Sequence, residues 1–105
     1  MEVVGRADFK APKGLIRVEV GIEENRISRV SITGDFFMYP EEALFELERE
    51  LIGVCVEREA VRGAVRRFYD RTGARTPMVD VEHWVEAVMK AAGSHEDQGF
   101  ADAQG

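Results

Sequence analysis

Thiols, imidazoles and prolines are scarce in this chain of 105 residues, which has one cysteine, two histidines and three prolines. A lone Cys55 excludes an internal disulfide framework and any site that draws two thiolates from the same chain. Zinc or iron sites need three or four ligands converging from ordered positions, and Cys55 with His83 and His95 shows no such spacing, so no metal is expected. The sequence has no GxGxxG, no P-loop, no nucleophile elbow and no HExxH, which leaves phosphate cradling and nucleophilic catalysis without a motif. Basic charge is short too: 14 Lys and Arg against 20 Asp and Glu give a net charge of −6, the wrong sign for phosphate backbones or anionic lipid surfaces. No apolar run approaches the roughly 18–20 residues that span a bilayer. The opening MEVVGRADFK lacks the charged-then-apolar order of a signal peptide. The expectation is a cytoplasmic protein with neither nucleic acid nor membrane as a partner.

What is present is the composition of a soluble globular protein, 45% apolar and 32% charged. The length predicts one domain, placed at residues 1–93, with 94–105 as a disordered tail whose single aromatic is Phe100. A chain this small buries only about 60–70% of its unfolded surface, so little is left over for an enclosed substrate pocket.

The first third alternates branched apolar and polar residues. Residues 3–10 form a first strand, and Pro12-Lys13-Gly14 supplies the turn of a hairpin, proline setting one dihedral and glycine taking a positive φ. Ile16, Val18, Val20 and Ile22 then share one face, with Arg17, Glu19 and Glu23 on the other. After a turn at Glu24-Asn25, residues 27–33 return with Val30 and Ile32 inward. Ile27 is out of phase: either a bulge corrects the register or Ile27 covers the core edge beside the turn. The whole predicts an α+β fold, a three-stranded antiparallel meander covered on one face by about three helices.

Pro40 suits the first position of a helix that ends near Gly53, with Glu41 and Glu42 at the positive end of its dipole. Ala43, Leu44, Leu47 and Leu51 form its stripe. Phe45 and Ile52, seven apart, make a second ridge that either widens the core contact or faces a partner. A second helix over 57–72 buries Val61, Ala64, Val65 and Phe68 and stops at Gly73, while Arg58, Arg62 and Arg66 line a stripe that either binds an acidic group or phosphate or is a solvated face beside Glu57 and Glu59, the second being favoured. A third, capped by Asp80, runs over 81–92 to Gly93 with Val81, Trp84, Val85, Val88 and Met89 inward.

The least generic stretch is Thr33-Gly34-Asp35-Phe36-Phe37. Glycine permits a bend, Asp35 is placed to bond backbone N–H groups at the strand-to-helix corner, and adjacent aromatics in a strand point to opposite faces. Either both phenylalanines enter the core or one is a docking residue.

Taken together, Lys10-Ala11-Pro12-Lys13-Gly14-Leu15-Ile16-Arg17-Val18, then Ile27, then Val30-Ser31-Ile32-Thr33-Gly34-Asp35-Phe36-Phe37, then Pro40-Glu41-Glu42 and a helix ending Leu51-Ile52-Gly53, resemble the C-terminal accessory domain of lipoate-protein ligases over roughly residues 3–92. In that family a separate catalytic domain binds lipoate and ATP with Mg and forms lipoyl-adenylate. The resemblance therefore implies the free-standing version: an accessory subunit that binds no cofactor itself, forms a heterodimer with a lipoate-protein ligase catalytic subunit and is required for the adenylation step. Indirect partners would be the lipoyl-acceptor domains of 2-oxoacid dehydrogenases or the glycine cleavage protein. On this reading no residue is catalytic, and the interface is expected at Lys10, Pro12, Lys13, Gly14, Gly34, Asp35, Phe36 and Phe37, with Phe45 and Ile52 beside them. The fold lies near that of iron–sulfur scaffold and sulfur-transfer proteins, whose cysteines at defined positions this chain lacks. The alternatives are a sulfur- or iron–sulfur-handling carrier that uses Cys55 and a plain dimerisation module.

Overall fold

The computed structural model describes residues 1–12 and 14–96; Lys13 and residues 97–105, including Phe100, lie outside the described residues. Strands β1 (Val3–Ala11), β2 (Gly14–Glu23) and β3 (Arg26–Asp35) form an antiparallel sheet in the order β1-β2-β3, followed by helices α1 (Ala43–Leu51), α2 (Arg58–Thr72) and α3 (Val81–Glu96). This is the expected α+β meander with three helices.

The period of two in β2 decides which face of the sheet is covered. Ile16, Val18 and Val20 are fully buried and Ile22 nearly so, while the opposite face carries Arg17 bonded to Asp8 at 3.0 Å and Arg6 beside Glu19. The register of β3 shifts between Gly21, which pairs with Arg29, and Ile22, which pairs with Ile27. Ser28 is thus the extra residue of a bulge, and the bulge turns Ile27 into the core beside Ile32. Of the two readings of the out-of-phase Ile27, this is the first.

Helix α3 lies against β1 so closely that backbone meets backbone. A Cβ on Gly5 would stand 2.0 Å from the Ala91 carbonyl oxygen. The Arg6 N–H donates to Ser94 Oγ at 2.9 Å and Lys90 Nζ donates to the Asp8 carbonyl at 2.8 Å. Buried Ala91 and Ala92 hold this turn on the strand, so the helix passes through Gly93 to Glu96 instead of ending there. Residues 94–96, expected in the tail, are therefore helical, and the rest of the expected tail lies outside the described residues. One helix start and one helix cap also differ from expectation, although α3 opens at Val81 as expected. Pro40 is not the first helical residue: Tyr39 gives its N–H and its carbonyl to Arg75, both at 2.9 Å, which holds Pro40 outside the helix behind a cis Tyr39-Pro40 bond. Helix α1 opens at Ala43, whose N–H bonds the Pro40 carbonyl. At α3 the cap runs in reverse, His83 Nδ1 accepting the Asp80 N–H at 2.8 Å.

The core centres on Trp84 and Phe68, both fully buried. The indole N–H donates to Tyr69 Oη at 2.7 Å, Tyr69 donates to Thr76 Oγ1 at 2.6 Å, and Thr76 donates to the Val79 carbonyl at 2.8 Å, so each side-chain donor of this relay has its acceptor. Outside, ion pairs clip the helices together. Arg71 reaches Glu46 and Glu50 across α1 and α2; Arg62 reaches Glu82 at 2.9 Å, and Arg58 pairs with Glu86, across α2 and α3. The stripe of Arg58 and Arg62 is therefore spent on neighbouring glutamates. The bond from Arg71 holds the Glu50 carboxyl below the ordinary value of 4.5, and that from Arg62 does the same for Glu82.

Two outcomes follow from this packing. A carboxyl whose folded-state pKa is depressed contributes stability above its unfolded value and loses it on acidification. The denaturation midpoint should therefore fall as pH drops below about 4.5, and Glu50→Gln should make that decline shallower; urea melts at stepped pH check both. Gly5→Ala should destabilise by roughly 1–3 kcal/mol, because its methyl would overpack the α3 backbone. A thermal melt in which Gly5→Ala matches the parent would contradict the contact.

Candidate partner-docking surface

At the end of the sheet that carries the β1–β2 turn, two glycines allow the strands to close up. Gly34 has φ 141°, and a Cβ there would stand 2.1 Å from the Leu15 carbonyl oxygen; a Cβ on Gly14 would stand 1.9 Å from that of Asp35. Lys10 pairs with Leu15 and Leu15 with Asp35, so the hairpin residues Lys10, Pro12 and Gly14 stand beside Gly34 and Asp35 at one end of the sheet. Lys13, expected in the same set, lies outside the described residues. The side chain of Asp35 is exposed and bonds no described residue, so the expected cap of the strand-to-helix corner is not made.

Beyond β3 the chain stays extended and its side chains alternate. Phe36 turns inward and meets Trp84 edge-on, with ring centroids 5.2 Å apart and planes at 90°. Phe37 turns outward, Met38 inward and Tyr39 outward. Phe37 and Tyr39 stack at 6.4 Å with planes within 3°, and they remain 62% and 51% exposed. The choice left open by the sequence is thus divided: Phe36 packs on the core and Phe37 does not. Tyr39 escaped the sequence reading, although its place two residues after Phe37 carried the signal. Its double backbone bond to Arg75 pins the outward pair in position.

The stack borders a groove of about 440 Å³ between the end of β3 and the start of α1, with Gly34, Phe36, Met38, Glu41 and Leu44 among its lining. Glu48 closes the strand edge next to it by accepting the Ile32 N–H at 2.8 Å. Phe45 is 65% exposed and lies in an adjoining depression with Glu41 and Glu42. Ile52 is exposed as well but is carried away from this group. It caps α1 next to Gly53, whose N–H bonds the Ile27 carbonyl at the opposite end of β3. The surface therefore gathers Gly34, Phe37, Tyr39 and Phe45, with the hairpin turn nearby, and omits Phe36 as a docking ring and Ile52 by distance.

Cys55 is half-buried in a backbone bridge with Arg26. Among the described residues no three His, Cys, Asp or Glu side chains come together as a metal site, and no helix is long and apolar enough to cross a membrane. The ring of His83 sits 6.1 Å from that of Phe9 with Nδ1 already engaged.

Comparison with known proteins identifies the family. The family model for the bacterial lipoate protein ligase C-terminus matches residues 5–83. Lipoate-protein ligase A subunit 2 of Thermoplasma acidophilum is 39% identical over 88 residues, which is 84% of this chain and 90% of that protein. A solved structure from an archaeal lipoylation system, described as a bi-partite lipoate protein ligase and its E2 lipoyl domain from the same organism, superposes with a TM-score of 0.76 at 39% identity over 84% of this chain and 97% of the other. On the strength of a match that spans most of its length, this chain belongs to the lipoate protein ligase C-terminal family.

Proposed function

We propose that this chain is the non-catalytic accessory subunit of a two-component lipoate-protein ligase, docking on a separate catalytic subunit and favouring the arrangement that adenylates lipoate. The observation that carries the reading is an exposed, pinned Phe37–Tyr39 stack on a chain similar to subunit 2 of such a ligase. Rings already held in place lose little entropy on docking, and aromatic side chains of this kind dominate interface energetics. Lipoate and ATP with Mg belong to the catalytic subunit, and the lipoyl-acceptor domains of 2-oxoacid dehydrogenases or the glycine cleavage protein receive the product. The accessory chain raises the rate only to the extent that it binds the competent arrangement more tightly than the idle one. Its role is a shift of population, which requires no reactive group on its own surface.

Lipoate-dependent release of pyrophosphate by the catalytic subunit should rise on addition of this chain and saturate at a fixed ratio. A catalytic subunit equally active without it would overturn the proposal. Within the complex, Phe37→Ala should weaken association by about 2 kcal/mol or more while the isolated chain melts as before. Phe36→Ala should do the reverse, costing roughly 2–4 kcal/mol of folding stability through the lost contact with Trp84. Pull-down and thermal melts on the two variants separate these effects, and a Phe37→Ala chain that binds normally would remove Phe37 from the interface.

A further inference from the structure

The exposed Phe37–Tyr39 stack and the exposed Phe45 leave a carboxylate between them. Glu41 lines both the groove that carries Phe37 and Tyr39 and the depression that carries Phe45. Its side chain is exposed and makes no hydrogen bond or ion pair with a described residue. The contrast with the rest of α1 is direct: Glu46 and Glu50 are held by Arg71, and Glu48 accepts the Ile32 N–H. Glu42, next to Glu41, makes no side-chain cap bond either. Among the described residues, neither Lys10 of the hairpin nor Arg75, which bonds Tyr39, pairs with Glu41.

A partner face broad enough to cover both the stack and Phe45 encloses Glu41. Apolar contacts favour that closure, but a carboxylate taken out of water without a counter-charge opposes it strongly. We infer that the catalytic subunit meets Glu41 with an arginine or lysine set between two apolar recesses, one for the Phe37–Tyr39 stack and one for Phe45. The inference rests on the subunit reading above. A guanidinium suits the position best, since it bonds a carboxylate through two parallel N–H groups and is weakly hydrated. The net charge of −6 adds long-range attraction toward such a face. A carboxylate just ahead of a helix also stabilises the helix N-terminus, but that role acts on melting temperature and leaves binding untouched.

The test measures association of the full chain with the catalytic subunit by surface plasmon resonance, with melting temperatures of the free chains recorded in parallel. Glu41→Gln should weaken binding about tenfold or more, mainly through faster dissociation, and Glu41→Arg should weaken it further. Glu23→Gln, which removes an exposed acid at the far end of the sheet, should stay within about twofold of the parent, as expected for a charge that acts only at long range. Normal binding by Glu41→Gln, or equal losses from Glu41→Gln and Glu23→Gln, would overturn the inference alone. Failure of the parent chain to bind the catalytic subunit at all would instead overturn the subunit reading on which it rests.

Discussion

The buried indole of Trp84 joins the two halves of the molecule. From α3 it donates its N–H to Tyr69 on α2 and meets Phe36, from the segment that leaves β3, in a T-shaped contact. An indole without a partner for its N–H would be costly in a core, and the chain from Trp84 through Tyr69 and Thr76 to the Val79 carbonyl removes that cost. The same contact sets the surface. Because Phe36 is drawn inward in an extended segment, Phe37 and Tyr39 must face out, and the Tyr39–Arg75 bonds keep them there. The docking face is thus the outward consequence of a core contact.

Both edges of the small sheet are occupied from within. The Arg6 N–H and the Asp8 carbonyl on β1 are taken by Ser94 and Lys90 of α3, and on β3 the Ile27 and Ile32 N–H groups go to the Val54 carbonyl and Glu48. Such plugging blunts strand-to-strand association. Recognition then falls to side chains, and the charges divide accordingly. Acids on the outer faces of α1 and α3 are paired with arginines of α2, whereas the side chains of Asp35, Glu41 and Glu42 around the aromatic face bond no described residue.

Local pattern was enough to read much of this. The face of β2 follows from alternation alone, and the buried stripes of α1 and α2 follow from residues three and four apart, because burial on a regular element repeats with its own period. Where the reading failed, a distant contact overrode a local preference. Gly93 has a helix-breaking composition, yet Ala91 and Ala92 are held on β1. Pro40 suits a first helical position, yet Tyr39 is claimed by Arg75 from the far side of α2. Phe45 and Ile52 share a spacing on paper, but the helix ends where Ile52 stands and delivers the two to different ends of β3.

The sequence by itself determined the fold class, the family resemblance carried by the GDFF segment, and the negative balance of charge, since each depends on residue identity and short-range order. Tertiary structure alone decided which phenylalanine is core, that Tyr39 joins Phe37 at the surface, and that Glu41 lies between that pair and Phe45. Those outcomes depend on contacts between segments tens of residues apart, from Phe36 to Trp84 and from Tyr39 to Arg75, and no local period encodes which of two adjacent rings a distant indole will hold.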